Sequence, residues 1–182
     1  MKNLINSIKS SAKELSSTVT LTVTAMLTAL NVILHSVTTI VINNFLQIRF
    51  SYLAVASIGF LYGPVVGGLA GALGDIIKYV VRPTGAFFPG FTLNEFIAGF
   101  LFGAILYKKP ITIKRAFFAK FSVMVIVNLI LTPLWLSMMY GKAFMVIMAG
   151  RIIKELIMLP IETALLYLCI KAVTKAKPVR VS

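Results

Sequence analysis

Residues 48–81 read IRFSYLAVASIGFLYGPVVGGLAGALGDIIKYVV, and the way this stretch divides sets how often the chain crosses a bilayer. A helix needs roughly 20 apolar residues to traverse a hydrocarbon core of about 30 Å. Tyr62-Gly63-Pro64 lies at the middle of the run. Proline lacks a backbone donor and disfavours helix at the residue before it, so the division falls there. Two short spans result. Left undivided, the stretch would reduce the count of crossings from six to five.

Upstream, about Val19 to Ile42 forms a first span without a single formal charge, ended by Asn43-Asn44. Downstream, the loop Arg82–Gly90 leads to a fourth span, about Phe91 to Tyr107. The basic loop Lys108–Arg115 separates it from a fifth, about Phe117 to Met139. Tyr140-Gly141-Lys142 then makes a turn into the last span, about Phe144 to Val173. Rows of small residues (Gly63, Gly67, Gly71 and Gly99, Gly103) predict close helix crossings, because association in hydrocarbon relies on backbone approach and polar contacts. The predicted fold is an all-α integral membrane protein, a bundle of six transmembrane helices forming one membrane domain. Residues 1–18 read as a cytoplasmic amphipathic segment, with Leu4, Ile5, Ile8, Ala12 and Leu15 at helical spacing between lysines. Residues 19–174 form the bundle and residues 175–182 a cytoplasmic basic tail.

Composition agrees. The chain is 59% hydrophobic and 13% charged, against about 25% charged residues in soluble domains. Its net charge of +13 is distributed as topology demands and not as nucleic-acid binding would. Lys2, Lys9 and Lys13 precede the first span; Lys108, Lys109, Lys114, Arg115 and Lys120 are assigned to one internal loop; Lys171, Lys175, Lys177 and Arg180 close the chain. Both tails and that loop share a side only if the number of crossings is even. Six crossings with cytoplasmic termini satisfy this. The polar stretch to Ser17 and the long run after it do not read as a signal peptide.

Four of the five acidic residues, Asp75, Glu95, Glu155 and Glu162, fall in or beside spans. A charge at the bilayer centre costs about 2.5–3.5 kcal/mol, so such groups normally face a cavity or one another. Arg151 and Glu155 sit one helical turn apart, and Asp75 and Lys78 are read as a local ion pair. Arg49, Asn94, Glu95, Arg151 and Lys154 are expected at one outer level, with Tyr52, Phe87, Phe88, Phe91 and Trp135 as aromatic walls. Cations, carboxylates and flat aromatic faces together suit a planar heteroaromatic ligand bearing anionic groups. The structural alternative is a set of paired charges or of side chains reaching to the interface from helix ends.

Several chemistries are missing. The glycine spacing of Gly63 and Gly68 matches a phosphate-binding loop, but Leu69 stands where its lysine must be. The single Cys169 and single His35 offer no metal spacing, and no serine or cysteine has an evident base. No cofactor, metal site or catalytic residue is expected.

The length, the helix layout and the stretch from Gly63-Pro64-Val65-Val66-Gly67-Gly68 through Asp75 to Arg82-Pro83-Thr84-Gly85-Ala86-Phe87-Phe88-Pro89-Gly90-Phe91-Thr92-Leu93 resemble the S components of bacterial energy-coupling factor (ECF) vitamin transporters. Within that group they resemble the folate-specific members. The resemblance implies a vitamin-binding subunit of a multi-pass complex in the bacterial cell membrane. That subunit works with a transmembrane T component and two ATPase subunits. It implies that Ala25-Met26-Leu27-Thr28-Ala29 matches the family's alanine motif, so that Ala25 and Ala29 meet the T component. It further implies that Asn43–Gln47 and Arg82–Gly90 gate the site. The expected substrate-binding residues remain those chosen from position and chemistry: Arg49, Tyr52, Phe88, Asn94, Glu95, Trp135, Arg151 and Lys154. An S component for pantothenate or a pyrimidine precursor, a membrane enzyme acting on lipid head groups, and a structural subunit without ligand are the competing readings.

Overall fold

The computed structural model describes residues 2–38, 40–43, 46–48, 50–83, 87–141 and 143–176. The helices are α1 (Lys2–Glu14), α2 (Thr18–Thr38), α3 (Tyr52–Val81), α4 (Pro89–Leu106), α5 (Ile113–Val123), α6 (Thr132–Tyr140) and α7 (Phe144–Ala176). A π-helical segment, Met124–Leu131, joins α5 to α6. Five stretches are long and apolar enough to cross a membrane: α2, α3, α4, the run Ile113–Tyr140, and α7 as far as Lys175. Large apolar side chains stand in the open along them, among them Met26, Val37, Val80 and Ile153. A surface of that kind would associate in water, whereas lipid tails solvate it. This is a membrane protein.

The predicted first span runs too far. Helix α2 stops at Thr38, and β1 (Ile40–Asn43) pairs antiparallel with β2 (Leu46–Ile48). Val37 to Ile42 is an unbroken run of β-branched residues, whose restricted side chains favour extended backbone over helix. Lys120 is also misplaced by the sequence reading. It belongs to α5, where it is buried, and not to the basic loop.

Helix α3 is continuous in name only. At Gly63 the backbone takes φ 88°, ψ −174°, a conformation open to glycine and strained for any residue with a Cβ. Eight residues of unbroken helix would separate Gly59 from Gly67 by about 12 Å. Instead, a Cβ built on Gly67 would lie 2.9 Å from the Gly59 Cα. The two halves turn back on each other. Pro64 opens the second half, leaving first-turn amides that need acceptors from elsewhere. Ser11 of α1 supplies one: its fully buried Oγ accepts from the N–H groups of Val65 (3.1 Å) and Val66 (3.2 Å) and donates to the Tyr62 carbonyl (2.7 Å). The amphipathic helix is thus attached through a serine, while Leu4 and Ile5 remain exposed.

Against this reversal packs α4. A Cβ on Gly59 would come within 2.8 Å of the Gly103 amide, and one on Gly67 within 2.7 Å of the Gly99 carbonyl. Backbone meets backbone along this seam, as the small-residue rows anticipated. The second half of the bundle joins through side chains. Phe60, Phe102 and Leu106 form a core with Ala116 and Ala119 of α5 and Leu166 and Ile170 of α7. The two fully buried alanines let α5 sit close to its neighbours. A chain of contacts between α1 and the α4–α5 loop, Lys108 Nζ to Ser10 Oγ (2.8 Å) and Ser10 Oγ to Tyr107 Oη (3.2 Å), gathers the basic segments at one end of the molecule.

Candidate ligand-binding site

Away from that basic end, the two halves enclose a cavity of about 210 Å³. Among the described residues its lining holds five cations, Lys78, Arg82, Lys120, Arg151 and Lys154, and four carboxylates, Asp75, Glu95, Glu155 and Glu162. All of the chain's acidic residues except Glu14 therefore face one space. Each charge would be costly in hydrocarbon, and their convergence makes the cavity an ionic site.

Among the described residues, two of the ion pairs, Lys78–Glu95 and Lys120–Glu162, bridge helices, and Lys154–Glu155 lies within α7. Lys78 Nζ lies 3.3 Å from Glu95 Oε1, linking α3 to α4. Geometrically this is a contact of charge without an aligned hydrogen bond, so the buried ammonium keeps its donors. Thr92 Oγ1 donates to Asp75 Oδ2 at 2.9 Å, and Arg82 donates to the Ser36 carbonyl of α2. On the far wall, Lys120 Nζ of α5 lies 3.0 Å from Glu162 Oε2 of α7 and 4.0 Å from the centroid of the Tyr52 ring. Tyr52 Oη donates to the Glu162 carbonyl (3.0 Å), so α3, α5 and α7 meet at one knot. Nearer the α6–α7 turn, Glu155 accepts from Lys154 (2.9 Å) and from the Asn128 amide (2.9 Å), and Arg151 Nε donates to the Asn128 carbonyl (3.1 Å).

The aromatic end is held by a relay. Trp135 Nε1 donates to Asn94 Oδ1 (3.0 Å), Asn94 Nδ2 to Thr132 Oγ1 (3.1 Å), and Thr132 Oγ1 to the Val127 carbonyl (2.7 Å). Phe88 leans on Trp135 with centroids 5.6 Å apart and meets Phe91 edge-on at 6.1 Å. Gly90 fits between Phe88 and Trp135, where a Cβ would come within 2.6 Å of both rings.

A family model described as the substrate-specific component of ECF transporters matches residues 19–170. The chain is an S component. It is 37% identical over 122 residues to a folate transporter FolT of Clostridium novyi (strain NT), covering 67% of this chain and 71% of that protein. It is 34% identical over 145 residues to a folate transporter FolT of Leuconostoc mesenteroides, covering 76% and 77% respectively. Its fold superposes on a crystal structure of FolT bound with folic acid with a TM-score of 0.77 at 35% identity, over 83% of this chain and 92% of that one. Members of this family bind substrate for a transporter; they are not enzymes.

Tyr52, Phe88, Asn94, Glu95, Arg151 and Lys154 of this S component all line the cavity, on three different helices or their caps. Trp135 stands behind the lining, where it holds Asn94 and backs Phe88. Arg49 lies outside the described residues. Ala25 and Ala29 are exposed on α2. Sequence reasoning passed over Lys120, Glu162, Asn128 and Thr132 as site residues. A signal for the first two existed: each was a charge inside a span without a local partner of opposite sign, and such charges require one elsewhere.

Proposed function

We propose that this S component captures folate at the outer face of a bacterial cell membrane, as the binding subunit of an ECF-type importer. One observation carries the reading: five cations and four carboxylates converge with aromatic walls on one intramembrane cavity, in a chain 34–37% identical to folate transporters. Folate presents a flat heteroaromatic ring at one end and glutamate carboxylates at the other. Phe88, Phe91 and Tyr52 offer faces for the ring, while Glu95 and Asn94 offer acceptors for its donors. Arg49, Arg151 and Lys154 offer partners for the carboxylates, whose planar oxygens suit a guanidinium fork. Trp135 acts through Asn94 and Phe88.

The cavity is below the roughly 300–1,000 Å³ of most small-molecule sites, so folate enters by parting the walls. Phe87, half exposed against Tyr79, is placed to swing outward. The reversal at Gly63 supports counting α3 as two passes, giving six crossings within one membrane domain. Gathering α1, the Lys108–Arg115 loop and the basic end of α7 on one side supports cytoplasmic termini by the positive-inside rule. A T component docking on Ala25 and Ala29, and two ATPase subunits, would complete the transporter.

The test is equilibrium binding of folate to the purified protein, run beside a thermal-shift screen of other vitamins. Saturable binding with stabilisation by folate supports the proposal. Stabilisation by a different vitamin and not by folate overturns it.

A further inference from the structure

The π-helical segment Met124–Leu131 does more than join α5 to α6. In an α-helix the Thr132 N–H would bond to the Asn128 carbonyl; here it bonds one residue further back, to Val127. With the ladder so slipped, the donor due to Asn128 is the N–H of residue 133. That residue is Pro133, which has none. The Asn128 carbonyl is thereby deprived of both intrahelical donors, and even a half-buried carbonyl is costly to leave unpaired. It takes the Nε–H of Arg151 at 3.1 Å. The same residue's side chain donates to Glu155, one turn along α7 from Arg151.

We infer that the π-helical slip and Pro133 together create a backbone acceptor that sets the Arg151 guanidinium at the cavity wall, and that this arrangement selects for ligands ending in a carboxylate. Anchoring a guanidinium through Nε fixes its plane, and a fixed plane is what bidentate carboxylate recognition needs. A lysine in its place has no Nε, so Arg151→Lys keeps the charge and loses the anchor. Pro133 is a positioning residue: it touches no ligand and acts by withholding an N–H. The slip serves the other wall as well, since Thr132 Oγ1 bonds back to Val127 and receives the Asn94 amide.

The choice of ligand rests on the folate reading; the anchoring does not. Pro133→Ala restores an N–H that competes for the Asn128 carbonyl. Affinity for folate should fall about tenfold, the scale of one charge-assisted contact. Affinity for 6-hydroxymethylpterin, which keeps the pterin ring and carries no carboxylate, should stay within about twofold. In an Arg151→Lys background, Pro133→Ala should change folate affinity by less than about twofold, because coupled residues are not additive. Equal losses for both ligands, or a full additional loss in that background, would mean a merely structural proline and overturn the inference.

A second measurement needs neither ligand nor a stable Pro133 variant. In protein labelled with ¹⁵N-arginine, the Arg151 Nε–H resonance, assigned by its loss in Arg151→Lys, should be protected from exchange with water. A rapidly exchanging resonance overturns the anchoring. Protection in a protein that binds no folate would remove the folate reading and leave the anchoring in place.

Discussion

The two halves of this S component are held together by opposite means. In α3 and α4, glycine lets backbones touch along the seam, a borrowed serine caps the turn, and the Lys78–Glu95 and Thr92–Asp75 contacts lie at the cavity end. In α5 to α7 the elements meet through charges: Lys120 with Glu162, Glu155 with the Asn128 amide, Arg151 with a carbonyl freed by a π-turn. Close-packed backbone has a single arrangement and no substitute for it. Ion pairs can be exchanged for a ligand's ions at little net cost, provided that no charge is left alone. The first half is therefore a frame and the second an adaptable wall, with the cavity between them.

This contrast can be broken most severely at the seam. Gly99→Val places a side chain inside the Gly67 carbonyl, and the expected outcome is no monodisperse folded protein by size-exclusion chromatography. Folded, ligand-competent Gly99→Val protein would show that the seam is not a rigid frame. Next in size is Glu162→Ala, which strands the buried Lys120. A loss of about 3–5 kcal/mol is expected in denaturation measurements, largely restored in the double variant Lys120→Met/Glu162→Leu. A double variant no better than the single one would count against the pairing.

Ser11→Ala should cost about 1–3 kcal/mol, the penalty for leaving buried amides unpaired, read as a lower melting temperature with folate affinity retained. Arg151→Ala and Glu95→Ala sharpen the comparison from the other side. Each should weaken folate binding about tenfold or more and lower the melting temperature, Glu95→Ala by stranding the buried Lys78 and Arg151→Ala by leaving the Asn128 carbonyl without its donor; unchanged affinity in both would remove this cavity as the site. Smallest in its effect on stability is Ala25→Trp, on the exposed face of α2. Binding and melting should match the parent protein while cellular folate uptake is lost, and normal uptake would argue against docking there.

The membrane spans were legible because hydrocarbon demands long apolar runs, and the division at Gly63-Pro64 because proline and glycine act locally. The paired strands Ile40–Asn43 and Leu46–Ile48 were obscured by hydrophobicity: Ile40-Val41-Ile42 prolongs an apolar run, and only its β-branching marks it as extended. The cavity's charges could be recognised singly but not paired. Lys120 and Glu162 are far apart in sequence, and the nearest basic cluster drew Lys120 into the wrong segment. The π-turn left no pattern in hydrophobicity at all; Asn128 and Pro133 in an apolar run were its only trace. Trp135 looked like a wall because it is aromatic, and the structure gives it the quieter task of holding Asn94.

Ser11 is synthesised 51 residues ahead of the carbonyl it bonds to. While the ribosome extends the chain, α1 has no socket until the turn it seals has been made. Its seating must follow formation of the turn at Gly63-Pro64, so a segment made earlier settles after one made later. A fusion partner or trimming that reaches residue 11 would leave that latch open.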